Sequence, residues 1–159
     1  MNPKAERVVS LARQSRLTIT TAESCTGGMI AAAITDIAGS SAAFGYGFVT
    51  YANQAKTDLL EVSTALLEAE GAVSEAVACA MAEGALRRAG ADVAIAVTGI
   101  AGPDGGSAAK PVGTVWFGLA RRGGPTRAER LIFPGDRAAV RAATRDHALD
   151  LLIAGLVSA

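Results

Sequence analysis

The 159-residue sequence contains few of the residue types that disulfides and metal sites require. Its only cysteines, Cys25 and Cys79, are too few for a disulfide framework or a structural zinc site, which predicts reduced thiols and a cytoplasmic protein. No apolar run approaches the ~20 residues of a membrane span, and residues 1–16 lack the continuous apolar core of a signal peptide. The formal net charge is zero, so the composition indicates neither a nucleic-acid partner nor an anionic membrane surface.

Histidine and lysine are also scarce. The single histidine, His147, excludes a metal site built from several histidines, and any Ser–His–Asp triad would depend on it alone. Its helical spacing from apolar residues of the last predicted helix favours a packed structural role. The only lysines are Lys4, Lys56 and Lys110, and only Lys56 falls in a segment predicted to be ordered. Spacing alone favours a solvated surface charge for Lys56, although a partly desolvated lysine can act as the base for a serine.

Hydrophobic periodicity and turn residues predict alternating helices and strands along the whole chain. Residues 93–98 are continuously apolar, which predicts a strand buried on both faces. The pattern predicts an α/β fold, a three-layer α/β/α sandwich with a mixed, mostly parallel sheet, forming a single domain over residues 1–159. Predicted helices span 5–14, 29–37, 53–60, 63–70, 74–89 and 137–156, and predicted strands span 17–21, 44–51, 93–98, 113–120 and 127–133.

The segment of residues 21–28, the most informative stretch of the sequence, joins the first predicted strand to the second predicted helix. Ser24, Cys25 and Thr26 are potential nucleophiles, and Gly27 and Gly28 would let a ligand approach the backbone. The first N–H groups of a helix have no intrahelical partner and the helix dipole is positive there, so anions are favoured. The alternative is an ordinary helix start with Ser24 or Thr26 as its N-cap.

Two other polar segments follow predicted strands. Because sites in open α/β sheets lie outside the carboxyl ends of parallel strands, Ser24, Tyr51 and Thr98 are expected at one edge of the sheet. The loop of residues 98–106, with four glycines, suggests phosphate or sugar recognition, although a flexible connector would also explain it. It matches neither a P-loop nor a dinucleotide-binding fingerprint.

Six motifs, at residues 21–28, 36–41, 48–51, 98–106, 110–116 and 133–137, follow one another over nearly the whole chain. Together, and in this order, they resemble the CinA C-terminal family. The resemblance implies a nicotinamide mononucleotide (NMN) deamidase, which hydrolyses the carboxamide to nicotinic acid mononucleotide and ammonia without a metal or another cofactor. Many family members carry an additional N-terminal domain, so this sequence resembles the stand-alone form.

Residue roles follow from the resemblance by motif. Ser24 corresponds to the nucleophile, Lys56 to its general base and Tyr51 to an assisting tyrosine. Ser41 corresponds to a second serine near the site, and it remains the rival nucleophile. Glu23 would either orient Lys56 or cap the helix that follows.

Substrate contacts are assigned on chemical grounds. Backbone N–H groups around Thr26, Gly27 and Gly28, or around Thr98 and Gly99, would hold the oxyanion of a tetrahedral intermediate. The 5′-phosphate needs a cation, and Arg137 at the start of the last helix is the leading candidate; an ion pair with Asp136 or a solvated surface position is the alternative. Asp104 would bind ribose hydroxyls or form a local turn with Gly105. Cys25 is expected to be a small packing residue.

Two other classes of function remain open at this stage. A non-catalytic nucleotide-binding module would use the same glycine loops without chemistry. A protein-interaction domain in competence or damage response is suggested by the family name alone. The high apolar fraction is compatible with a homo-oligomer.

Overall fold

The computed structural model describes Met1–Ala159 and contains one five-stranded sheet. The strands are β1 (Ile19–Glu23), β2 (Phe44–Val49), β3 (Val93–Gly99), β4 (Thr114–Arg121) and β5 (Arg127–Ile132), in the spatial order β2-β1-β3-β4-β5. β1 pairs in parallel with both β2 and β3, whereas β4 is antiparallel to both β3 and β5. Only β4 therefore runs against the other strands, and the predicted mixed sheet is confirmed.

Six helices cover the two faces of this sheet. They are α1 (Pro3–Ser15), α2 (Met29–Thr35), α3 (Asn53–Leu60), α4 (Thr64–Glu70), α5 (Glu75–Ala89) and α6 (Arg137–Val157). Helices α1, α2 and α6 share one hydrophobic core, and α3–α5 share the other. This is the predicted α/β/α sandwich. None of the helices is both long and apolar enough to span a membrane.

Strand β3 lies at the centre of the fold and is buried on both faces, as its apolar run predicts. Val93, Ile95 and Val97 pack into the core formed by α1, α2 and α6. Ala94 and Ala96 point to the opposite face and pack against the core of α3–α5. Successive side chains of a strand alternate between faces, so branched residues fill one layer while alanines allow close approach of the other.

The single histidine packs in the way its spacing predicts. The His147 ring lies edge-on to the Phe117 ring, with centroids 4.7 Å apart, and its Nε2 contacts the carboxylate of Glu129. These contacts hold α6 against β4 and β5.

Several element boundaries differ from the sequence prediction in ways that matter for the site. Strand β2 ends at Val49 instead of residue 51, so Tyr51 lies in the short connection to α3. Directly after the strand, the Thr50 carbonyl accepts a side-chain hydrogen bond from Lys56. Helix α2 ends at Thr35, two residues earlier than predicted.

Candidate active site

The turn after β1 presents Ser24 at the carboxyl edge of the sheet. The Ser24 N–H donates to the carbonyl of Val97 in β3 at 3.1 Å, which fixes the start of the turn. Gly27 and Gly28 have φ angles of 57° and 104°, a left-handed conformation that glycine adopts without strain. They redirect the chain into α2 and leave the Ser24 side chain facing the cavity described below.

The buried carboxylate of Glu23 holds this turn against α2. It accepts hydrogen bonds from the Thr26 hydroxyl at 2.6 Å and from the backbone N–H groups of Ile30 at 2.9 Å and Ala31 at 3.0 Å. Both of its oxygens are therefore used in capping the helix, and none of its hydrogen bonds involves Lys56. Of the two roles considered for Glu23, the structure shows helix capping.

Lys56 is almost completely buried beside Ser24. Only 1% of its surface is exposed, and its Nζ lies 3.1 Å from Ser24 Oγ, 2.7 Å from the carbonyl oxygen of Thr50 and 3.2 Å from that of Tyr51. It forms no salt bridge with any carboxylate. The expectation of a solvated surface charge is therefore wrong, because α3 packs with this side chain facing inwards.

The environment of Lys56 disfavours its charged form. Burial lowers the pKa of Lys56 below its ordinary value of 10.5, and only the neighbouring Cys25 acts weakly in the opposite direction. Burial raises the pKa of the Cys25 thiol to about 11, so this thiol is protonated near neutral pH. Lys56 Nζ forms a hydrogen bond with the serine hydroxyl and none with the thiol next to it.

Tyr51 and Arg137 form a second polar group at the mouth of the site. The Arg137 Nη2 donates to the Tyr51 hydroxyl at 3.0 Å, and Nη1 donates to the carbonyl of Gly102 at 2.8 Å. The tyrosine is 60% exposed, and its hydroxyl contacts neither Ser24 nor Lys56. Asp136 instead caps α6 by accepting from the Ala139 N–H at 2.9 Å, so it is not paired with the guanidinium of Arg137.

The three segments that follow β1, β2 and β3 enclose one cavity of about 250 Å³. A wider cavity of about 540 Å³ adjoins it and shares the lining residues Ala101 and Arg137. Arg137 therefore stands between the two cavities. Residues of the smaller cavity are Ser24, Cys25, Tyr51, Asn53, Lys56, Ala72, Val73, Thr98, Gly99, Ile100, Ala101, Gly102, Asp104 and Arg137.

Ser41 and Thr26 do not line this cavity, and Thr98 lines it with a hydroxyl that is already hydrogen-bonded. Ser41 is exposed in a short 3-10 turn, Ser40–Ala42, directly before β2. Because β2 runs parallel to β1, the start of β2 lies at the opposite end of the strands from Ser24. The chain therefore does not bring Ser41 to the site. Thr26 is fully buried with its hydroxyl on Glu23, and the Thr98 hydroxyl donates to the Ala72 carbonyl at 2.9 Å. Their side chains stabilise loops, which leaves only backbone groups free for a ligand.

One residue of the site was not anticipated. Arg141, one turn after Arg137 in α6, donates from Nε to the carbonyl of Cys25 at 3.0 Å and from Nη2 to that of Thr26 at 3.2 Å. The backbone N–H groups of Cys25 and Thr26 have no hydrogen-bond partner in the chain. Arg141 thus orients peptide groups next to Ser24. The signal available in the sequence was the spacing of four residues between Arg137 and Arg141, which places both on one face at the start of the last helix.

Comparison with known proteins identifies the family. The CinA C-terminal domain profile matches residues 1–156. The nicotinamide-nucleotide amidohydrolase PncC of Escherichia coli (strain K12) is 53% identical over 148 residues, which cover 93% of this chain and 90% of that protein. The putative competence-damage inducible protein of Symbiobacterium thermophilum is 58% identical over 155 residues, or 92% of this chain. The chain spans only 36% of the length of that relative.

Solved structures agree with this assignment. The crystal structure of the competence/damage inducible protein CihA from Agrobacterium tumefaciens superposes with a TM-score of 0.93 at 49% sequence identity, over 96% of this chain and 93% of that one. Sequence profile, relatives and fold coincide over almost the whole chain. The chain belongs to the CinA C-terminal domain family.

Proposed function

We propose that this protein is an amidohydrolase that converts NMN to nicotinic acid mononucleotide and ammonia, with Ser24 as nucleophile and Lys56 as general base. The observation that carries the proposal is the buried Lys56 Nζ, 3.1 Å from Ser24 Oγ and without a carboxylate partner. The substrate is inferred from the relative in Escherichia coli, whose name specifies a nicotinamide nucleotide. The two free cysteines of this chain, Cys25 and Cys79, suit a reducing, cytoplasmic setting.

The three oxygen contacts of Lys56 can all be made by a neutral amine. A neutral amine has two N–H donors and one lone pair. The carbonyl oxygens of Thr50 and Tyr51 accept the two donors, which leaves the lone pair for the hydroxyl hydrogen of Ser24. Lysine in this state can take the serine proton as the nucleophile attacks.

The reaction then proceeds through an acyl-enzyme. Ser24 Oγ attacks the carboxamide carbon while its proton passes to Lys56, and the resulting ammonium gives that proton to the departing ammonia. Water attacks the ester carbon, again losing a proton to Lys56, and this proton returns to Ser24 Oγ as the ester bond breaks. The nicotinate product leaves, and both residues regain their initial states.

Backbone groups next to Ser24 are the candidates for the oxyanion hole. The free N–H groups of Cys25 and Thr26 lie in the turn that carries the nucleophile. The Cys25 carbonyl and the Thr26 N–H belong to one peptide group, and Arg141 binds that carbonyl. Removal of one oxyanion donor in comparable sites raises the activation free energy by about 3–4 kcal/mol. Arg141, which holds the peptide group of one donor in place, should therefore affect the rate of the reaction.

Arg137 is the proposed partner of the 5′-phosphate. It lies between the two cavities, so a substrate whose carboxamide reaches Ser24 can place its phosphate in the wider cavity. We assign Tyr51 to this interaction as well, because its hydroxyl contacts the Arg137 guanidinium and not the serine. Tyr51 would then orient the substrate instead of transferring a proton.

Ammonia release from NMN, measured in a coupled assay, tests the proposal directly. We expect Ser24→Ala to abolish release while calorimetry still detects NMN binding, because the hydroxyl is small and contributes chemistry more than contacts. Ser41→Ala is the matched control and should retain turnover. Normal turnover in Ser24→Ala with loss in Ser41→Ala would contradict the assignment. Binding of NMN by the wild type without any ammonia release would instead show a non-catalytic nucleotide-binding module.

A further inference from the structure

Asp104 is the only carboxylate that lines the smaller cavity. It lies on the loop after β3, two residues beyond Gly102, whose carbonyl accepts a hydrogen bond from Arg137. The Asp104 side chain is exposed and forms neither a hydrogen bond nor an ion pair within the chain. The carboxylate therefore does not stabilise a local turn with Gly105, and both of its oxygens are available to a ligand.

The charged residues are divided unequally between the two cavities. Arg137 lines both of them, Asp104 lines only the smaller one, and Asp136 and Arg141 line only the wider one. Asp136 already caps α6, and Arg141 already binds two carbonyls of the turn after β1. The smaller cavity also contains Lys56, whose burial favours the neutral amine. It therefore presents one unpaired negative charge close to the nucleophile.

The proposed substrate carries charges of opposite sign at its two ends. The pyridine ring of NMN is bonded to ribose through its nitrogen, so the ring is a cation, whereas the phosphate is an anion. Because the carboxamide is attached to the ring, the ring must occupy the smaller cavity when the carboxamide reaches Ser24. The phosphate then lies towards the wider cavity, past Arg137. The carboxylate of Asp104 thus lies in the compartment of the cationic ring, and the guanidinium lies towards the anionic end.

We propose that Asp104 is a specificity residue whose carboxylate recognises the positive charge of the pyridinium ring, an inference that rests on the proposed function. The site then selects N-ribosylated pyridine carboxamides, which are cations, over amides that have a neutral ring. Complementary charges also fix the orientation of a bound ligand. A substrate that entered with its phosphate towards Ser24 would bring two negative groups together, so Asp104 favours the orientation in which the carboxamide reaches the nucleophile.

The same contact distinguishes the substrate from the product. Hydrolysis replaces the neutral carboxamide by a carboxylate, so the ring portion of the ligand changes from a cation to a zwitterion without net charge. Asp104 attracts the cation, whereas its attraction to the pyridinium of the product is offset by repulsion from the new carboxylate. The product should therefore bind less tightly than the substrate, although both have the same ribose and phosphate.

Calorimetry with three ligands tests the proposal in the Ser24→Ala variant, which cannot form the acyl-enzyme. The ligands are NMN, its reduced form NMNH, whose dihydropyridine ring is neutral, and nicotinic acid mononucleotide. All three share the same ribose and phosphate. We expect the additional substitution Asp104→Asn, which preserves the size of the side chain, to raise the Kd of NMN by roughly fivefold, the upper range for a solvent-accessible ion pair. The Kd values of NMNH and of nicotinic acid mononucleotide should change little.

Asp58→Asn is the matched control, because Asp58 is an exposed carboxylate of α3 that accepts a hydrogen bond from Gln54 and lines neither cavity. It should leave all three Kd values unchanged. An equal rise of all three in Asp104→Asn would show that Asp104 binds the shared ribose, and an unchanged Kd of NMN would show that it binds no part of the substrate. Either result overturns the proposal. Failure of the proposed function would appear separately, as absence of ammonia release by the wild type, and the binding comparison remains decisive in that case because it needs no turnover.

Discussion

Replacement of Lys56 is the sharpest test of the mechanism, because methionine fills nearly the same buried volume without an amine. General bases typically contribute 10²–10⁴-fold to rate. We expect Lys56→Met to lower kcat for ammonia release by that factor, which corresponds to about 2.7–5.4 kcal/mol in activation free energy. NMN binding should change little, since Lys56 contacts only Ser24 and two backbone carbonyls. Lys110→Met, at a lysine that contacts only the Glu70 carbonyl, is the matched control.

Lys56→Arg separates a base from a fixed positive charge. Arginine remains protonated at every accessible pH, so it preserves the charge but cannot accept the serine proton. We expect its kcat to fall as far as that of Lys56→Met, with an additional loss of stability because a larger charged group is buried without a carboxylate. Retention of most of the turnover in Lys56→Arg would refute the general-base role.

The pH dependence follows from the lowered pKa of Lys56. Activity should rise with pH along a single ionisation whose midpoint lies below the ordinary lysine value, because only the neutral amine acts as base. The free energy of unfolding should also rise with pH, by at most about 1.4 kcal/mol per pH unit, between the folded pKa and the ~10.4 of the unfolded chain. In that range the unfolded state binds the additional proton. Chemical denaturation should show that Lys56→Met lacks this rise, and equal slopes for both proteins would contradict the burial argument.

Three further variants examine neighbouring groups. Cys25→Ala should retain turnover, because the thiol is buried and its pKa is raised; loss of ammonia release would contradict the serine mechanism. Tyr51→Phe should raise the KM for NMN and leave kcat nearly unchanged, as expected for a residue that acts through Arg137, and a kcat loss of a hundredfold or more would instead indicate proton transfer. Arg141→Ala should lower kcat by about tenfold or more, because the peptide groups beside Ser24 lose the side chain that orients them. Arg141→Lys should recover only part of the lost kcat. An unchanged kcat in both variants would show that Arg141 does not contribute to catalysis.

The sequence was sufficient to predict the layers of the fold and the edge of the sheet that carries the site. Apolar periodicity is a local property, and it places Ser24, Tyr51 and Thr98 after successive parallel strands. Burial of Lys56 could not be derived in this way, since it depends on which face of α3 meets the sheet. Its spacing of four residues from the buried Leu60 was the one local indication of that face.

Two other features show where reasoning from motifs is insufficient. Ser41 precedes β2, so the rule for carboxyl ends already places it at the other end of the strands from Ser24. Its position in a family motif was therefore misleading about its distance from Ser24 within one chain. Arg141 looks like any solvent-facing arginine of a helix in the sequence. Its role depends on how α6 packs over the turn after β1, which is a property of the tertiary structure alone.

Two of the helices that begin near the cavity already have a carboxylate at their N-terminus: Glu23 for α2 and Asp136 for α6. Helix α3, which begins at the cavity residue Asn53, has none. The positive ends of the α2 and α6 dipoles are therefore largely neutralised before any substrate arrives. Attraction of an anionic substrate then rests on the uncapped start of α3 and on side-chain guanidinium groups, chiefly Arg137, whose charge is exposed and sensitive to ionic strength. The affinity for a mononucleotide should consequently weaken with added salt, while the chemistry at the buried Ser24–Lys56 pair, which salt does not reach, should proceed at an unchanged rate once the substrate is bound.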